Sequence, residues 1–210
     1  MRPFLDDCSL PVRPEILSLF EREWSRLANP GSHLDGAQRV EIASAARGAR
    51  EGTSVGDGSL PSSATNVAAV LGPDPAGANR SMAESAVADL GLGAYVELVG
   101  VVSRAAAIDT FHHAVDAALP ALPQPIAGDP TGIIDPVARR GPAWVPMVGG
   151  SSIRGALSAV PPEAEAQADM GGSLYMTHEQ MADLHFVRIL SRTQIELVAS
   201  RTSALNECFY

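Results

Sequence analysis

The chain has 210 residues, 46% apolar and 19% charged, which fits one ordinary domain or two small ones and supplies enough apolar side chains for a packed core. Thirty-three alanines against 5% aromatic residues favour closely packed helices over a sheet-rich sandwich. All 15 basic residues are arginine, and 24 acidic residues leave a net charge of −9, which argues against nucleic acid or an anionic membrane surface as a partner.

From the N-terminus, Met1 to Cys8 meets two acids before any apolar stretch develops, which speaks against a signal peptide. Pro14 suits a first helical turn, and Ile16, Leu17, Phe20, Trp24 and Leu27 recur at helical spacing until Asn29-Pro30-Gly31 stops them. Asp35 caps a second helix with Val40, Ile42, Ala43 and Ala46 inward and Arg47 and Arg50 near its end. Residues 52–61, rich in Gly and Ser, form a loop. Ser81 with Glu84 matches a capping box for a short helix through Leu90.

The longest helical pattern runs from about Ala94 to Leu119 and ends at Pro120. Glu97 and Arg104 interrupt its most apolar stretch, so no run approaches the roughly 18 residues of a membrane span. A soluble, cytoplasmic protein is expected. Seven prolines between Pro120 and Pro146 forbid a helix and make an extended connector, which Ile126, Ile133, Ile134 and Trp144 dock onto the rest. Thr177 with Gln180 and Ser191 with Gln194 are capping boxes, with Met181, Leu184 and Val187 on one face between them. The final helix carries Ile195, Val198, Ala199 and Thr202 and frays near Asn206. Nothing demands a strand, and the class is all-α.

A short pattern recurs in Val40-Glu41-Ile42-Ala43, Val96-Glu97-Leu98-Val99 and Ile195-Glu196-Leu197-Val198. A glutamate flanked by apolar residues either needs a buried partner or sits on a helix boundary facing solvent. His112 and His113 are expected as neighbours on a helix with one exposed, and no His or Cys spacing fits a zinc site. Two cysteines exclude a disulfide framework; Cys8 reads as an ordinary thiol near the terminus.

The C-terminal run from Gln194 through Glu196 to Asn206-Glu207-Cys208-Phe209-Tyr210 resembles the alkylhydroperoxidase D-like and carboxymuconolactone decarboxylase-like superfamily. Members carry a helical glutamate and, twelve residues later, the first cysteine of Cys-x-x-Cys, followed by a histidine; Glu196 and Cys208 have that spacing. Asp35-Gly36 through Arg39 and Arg47, and Tyr95 to Ser103, resemble the non-catalytic half of the larger, peroxidase-related members.

The resemblance implies an all-α fold of two related helical repeats: a degenerate one (1–119), the Pro-rich connector (120–149) and the start of a catalytic one (150–210). It implies a thiol peroxidase with Cys208 as the resolving cysteine and Glu196 in a proton relay. Its partners would be a hydroperoxide and a dithiol reductant, with assembly into homo-oligomers and no metal or cofactor. The second cysteine is expected directly after Tyr210 and the histidine a few residues further, so the site is incomplete in this chain. Aligning Glu97 with Glu196 sets Asp109 against Cys208 and puts His112 where the second cysteine would fall, as in a repeat that has lost its thiols, while another offset aligns Arg104 with Arg201 equally well. The alternatives are a decarboxylase-like enzyme using Glu196 with Arg47 or Arg201 to bind a substrate carboxylate, or an inactive paralogue acting only in assembly.

Overall fold

The computed structural model describes residues 4–5, 7–53, 58–150, 152 and 155–206. Eight α-helices lie among them: α1 (Pro14–Ala28), α2 (Gly36–Glu51), α3 (Ser62–Leu71), α4 (Arg80–Leu90), α5 (Leu92–Ala114), α6 (Pro161–Leu174), α7 (His178–Ala182) and α8 (Arg192–Leu205). The described residues contain no strand, only the isolated bridges Arg139–Met147 and Val187–Ser191. The chain is all-α, as its composition favours. It divides into two compact units, Met1–Met170 and Gly171–Tyr210, and the division falls within α6.

In the first unit, Pro14 opens α1, which buries Ile16, Leu19, Phe20, Trp24 and Leu27. Leu19 rather than Leu17 completes that stripe. Asp35 and Gln38 form a reciprocal capping box at α2, and Gly52, at φ +67°, closes its other end in the left-handed region. Helix α3 has no counterpart in the sequence reading, since its Ser-Ser-Ala-Thr opening lacks an apolar stripe; Ala64, Val67 and Ala68 are nevertheless buried. Asn79, not Ser81, caps α4: its side chain accepts the Met82 N–H, and the Ser81 hydroxyl donates to Asn79 instead of capping.

Helix α5 starts at Leu92 and stops at Ala114, five residues before the expected Leu119. The stop is a Schellman arrangement rather than Pro120. Asp116 turns to φ +54°, its N–H bonds the His113 carbonyl, and the Ala117 N–H reaches back to His112 at 2.9 Å. Helices α2 to α5 share the main core, in which Ala43, Ala46, Ala64, Ala68, Ala86 and Ala105 lie between Ile42, Leu98, Val101 and Val102. Alanines at the contacts let the helix axes come close.

The Pro-rich stretch is extended and docks through its backbone and through Leu122, Val145 and Met147. The N–H groups of Ile126, Thr131 and Gly132 bond the carbonyls of Ala28, Gly31 and Ser32, and the Trp24 indole donates to Ala121 O at 2.9 Å. The side chains of Ile126, Ile133, Ile134 and Trp144, expected to anchor it, remain exposed.

In the second unit, both expected capping boxes are present, Thr177–Gln180 on α7 and Ser191–Gln194 on α8. Polar contacts organise this unit. Arg188 donates to Tyr175 O and Gln180 Oε1, and Arg192 donates to the carbonyls of Gln180 and Met181. Met176 is the one buried side chain among its described residues, and α8 buries none.

Candidate functional site

Two constellations stand out, one in each unit. The first is a buried ionic network built on the apolar stripes of four helices. Glu23 lies between Phe20, Trp24 and Leu27 on α1, Arg39 shares a face with Ile42 and Ala46 on α2, and Glu97 and Arg104 are two turns apart on α5. Glu163 projects from the first turn of α6. All five are at most 4% exposed.

Arg39 Nη1 pairs with Glu97 Oε1 and lies 3.2 Å from Glu163 Oε1. Arg104 takes Glu23 through Nε at 2.8 Å and Glu163 through Nη2. The second Glu97 oxygen accepts the His33 N–H at 2.7 Å. Glu23 also pairs with Arg26, which reaches Asp169 at 3.1 Å, and Asp169 is gripped bidentately by Arg22 at 2.8 and 3.0 Å. Carboxylates of Glu23, Glu97, Glu163 and Asp169 thus balance guanidinium groups of Arg22, Arg26, Arg39 and Arg104. That neutrality is what lets the charges leave water.

The balance is uneven in space. Burial pushes the Glu23 carboxyl above its ordinary range, against the pull of Arg104 and Arg26. The hydrogen bond from Arg22 instead holds Asp169 below the usual carboxylate range. Glycine is required at two places around the network. A Cβ on Gly31 would collide with Glu97 Oε1 and Arg39 Nη1, and one on Gly100 with Glu163 Oε2.

The three glutamate motifs therefore meet three different fates. Glu97 is fully buried and paired; half-buried Glu41 accepts the N–H groups of Ser59 and Leu60 at 2.9 and 3.1 Å; Glu196 is partly exposed. The Asp109–His112 pair, aligned with the thiol positions, is structural in its contacts. Arg47 holds Asp109 bidentately at 2.7 and 2.9 Å and lies 5.8 Å over the Trp24 ring. His112 is fully buried and stacks on Phe20, with Nδ1 2.8 Å from the Ile108 carbonyl, so Nδ1 donates. His113 is exposed beside Glu51, as expected of one member of the pair. With Arg47 engaged by Asp109, only exposed Arg201 is left of the two arginines considered for a substrate carboxylate.

The second constellation surrounds Glu196 on α8. Tyr175 OH donates to Oε2 at 3.0 Å, and Arg192, one turn earlier, reaches Oε1 through Nε at 2.8 Å and Nη2 at 2.7 Å. The same guanidinium is anchored on the α7 carbonyls, so the carboxylate is held from both sides. Burial, reinforced by Glu196, raises the Tyr175 phenol above its ordinary value.

Cys208 lies outside the described residues. Cys8 is a free, half-buried thiol with its sulfur near the Leu10 and Val115 carbonyls. Among the described residues, no group of three His, Cys, Asp or Glu side chains could hold a metal ion, and no helix is long and apolar enough to cross a membrane. No family model, curated protein or solved structure matches the chain.

The sequence pattern does not single out Glu23 or Glu163; Arg39 enters it within the Asp35–Arg47 resemblance, and Arg104 as an interruption of an apolar run. The available signal was a charged side chain on the buried stripe of a helix. Such a residue demands a partner of opposite sign on a neighbouring stripe.

Proposed function

We propose that the chain acts as an alkylhydroperoxidase D-like thiol peroxidase of the reducing cytoplasm, with its redox chemistry at the C-terminal end. The supporting observation is the Glu196 carboxylate, both of whose oxygens are engaged by Tyr175 and Arg192, on the helix that leads into Cys208 twelve residues later. In this reading, as in the family it resembles, the thiolate of the cysteine that pairs with Cys208 attacks the O–O bond and becomes a sulfenic acid while the alcohol leaves with a proton. The Cys208 thiolate then displaces the sulfenic oxygen as water, forming a disulfide that an external dithiol reduces. Glu196 orients the relay that carries these protons. The ionic network of the first unit serves as scaffold, and the exposed apolar side chains of the second unit support homo-oligomers.

Alkylation of the full chain carrying Cys8→Ser tests this reading. Cys208 should react about tenfold faster near neutral pH than an ordinary thiol, and Glu196→Gln should reduce that advantage. A Cys208 that resists labelling in the folded protein would sink the proposal. Exposed Leu197, Val198 and Leu205 of α8 also favour a second reading, an inactive paralogue that acts only by assembling. Dithiol-dependent consumption of a hydroperoxide by this protein would exclude it.

A further inference from the structure

We infer that the small recess between α1, α2 and α5 is a binding site for a single ordered water molecule, which completes the buried ionic network. Two of the network's donors, Arg39 Nε and Arg104 Nη1, are buried without a hydrogen-bond partner in the protein. Guanidinium N–H groups shut away from water are rarely left in that condition, and their usual partner is an internal water. Both arginines line one small recess of about 10 Å³, together with Glu23, Trp24, Leu27 and Val101. That is the room one water needs, and too little for an organic ligand.

The chemistry of the lining selects water over an ion. Two N–H groups require an acceptor, whereas the Glu23 carboxylate beside them has lone pairs left after its bonds to Arg26 and Arg104 and welcomes a donor. A halide accepts but cannot donate, and would face the Glu23 charge. An ammonium or metal cation would face two guanidinium groups. Water alone accepts from both arginines and donates to the carboxylate. It links Arg39 to Arg104 directly, where the protein alone joins them only through Glu163.

A high-resolution crystal structure of the full chain, with a second crystal soaked in bromide, tests the inference. A density peak within hydrogen-bond reach of both Arg39 Nε and Arg104 Nη1, without anomalous signal after the soak, is the expected result. An empty recess with both nitrogens turned onto protein acceptors overturns it, as does a bromide signal at the site. Ala105, which also lines the recess, provides a measurement in solution. Ala105→Val fills the space without an acceptor and should lower the melting temperature by several degrees, whereas Ala105→Ser, whose hydroxyl replaces the water, should change it little. Equal melting temperatures for the two variants would count against a bound water.

Discussion

Glu23 and Asp169 are joined through one arginine, yet they answer pH in opposite senses. Glu23 holds its proton more tightly in the folded chain, because burial outweighs the attraction of Arg104 and Arg26. Its contribution to stability is therefore complete below its ordinary value of 4.5 and is lost as the pH rises through its higher folded value. Asp169 behaves conversely: its contribution is present above its unfolded value and is lost as acid protonates it. Urea midpoints of the native chain and the Glu23→Gln variant, taken from about pH 4 to about pH 8, should show the native chain losing stability relative to the variant as pH rises. A constant difference across that range would mean that Arg104 and Arg26 fully offset the burial of Glu23.

At the level of the helices, Gly100 shows how the network overrides local propensity. Glycine in the middle of a 23-residue helix is normally a weak point, and replacing it with alanine gains about 1 kcal/mol. Here the added methyl would press on Glu163 Oε2 and approach Arg104 Nη1. Overpacking and a disturbed buried pair cost about 2–4 kcal/mol, so Gly100→Ala should destabilise by a net 1–3 kcal/mol, roughly, in chemical denaturation. A stabilised variant would show that Glu163 can swing aside freely. The same helix marks what could be read from the chain beforehand. Caps at Asp35, Thr177 and Ser191 were legible because a capping box is a local hydrogen-bond pattern. Helix α3 and the stop at Asp116 were not, because small residues and a non-glycine left-handed turn leave no periodic or compositional mark. The network was half legible. Glu97 drew notice through its apolar neighbours, but its partner Arg39 is 58 residues away, and only packing of α2 against α5 reveals the pair. Around Glu196, the spacing to Cys208 pointed to the residue, while Tyr175 and Arg192 emerged only from the folded α7–α8 segment.

Across the described residues, seven of the thirteen exposed large apolar side chains belong to the short second unit. Leu184, Val187, Ile189, Leu190, Leu197, Val198 and Leu205 are 42–86% exposed, and all belong to the second unit. Chains of about 40 residues seldom form a sufficient core alone, and Met176 is the only buried side chain among the described residues of this unit. Exposed apolar side chains of this kind offer surface to a partner, and each side of a stable interface contributes about 800 Å². Burying that surface between copies of the chain satisfies the unit without another protein, in keeping with the homo-oligomer proposed above. Light scattering coupled to gel filtration should accordingly find an assembly larger than one chain. Leu197→Asp combined with Val198→Asp should dissociate it, because two carboxylates cannot be desolvated at such a contact without partners. Both positions are exposed within the chain, so the folded helical signal of the monomer should survive the substitution. A native protein that is monodisperse and monomeric would rule out self-assembly through α8.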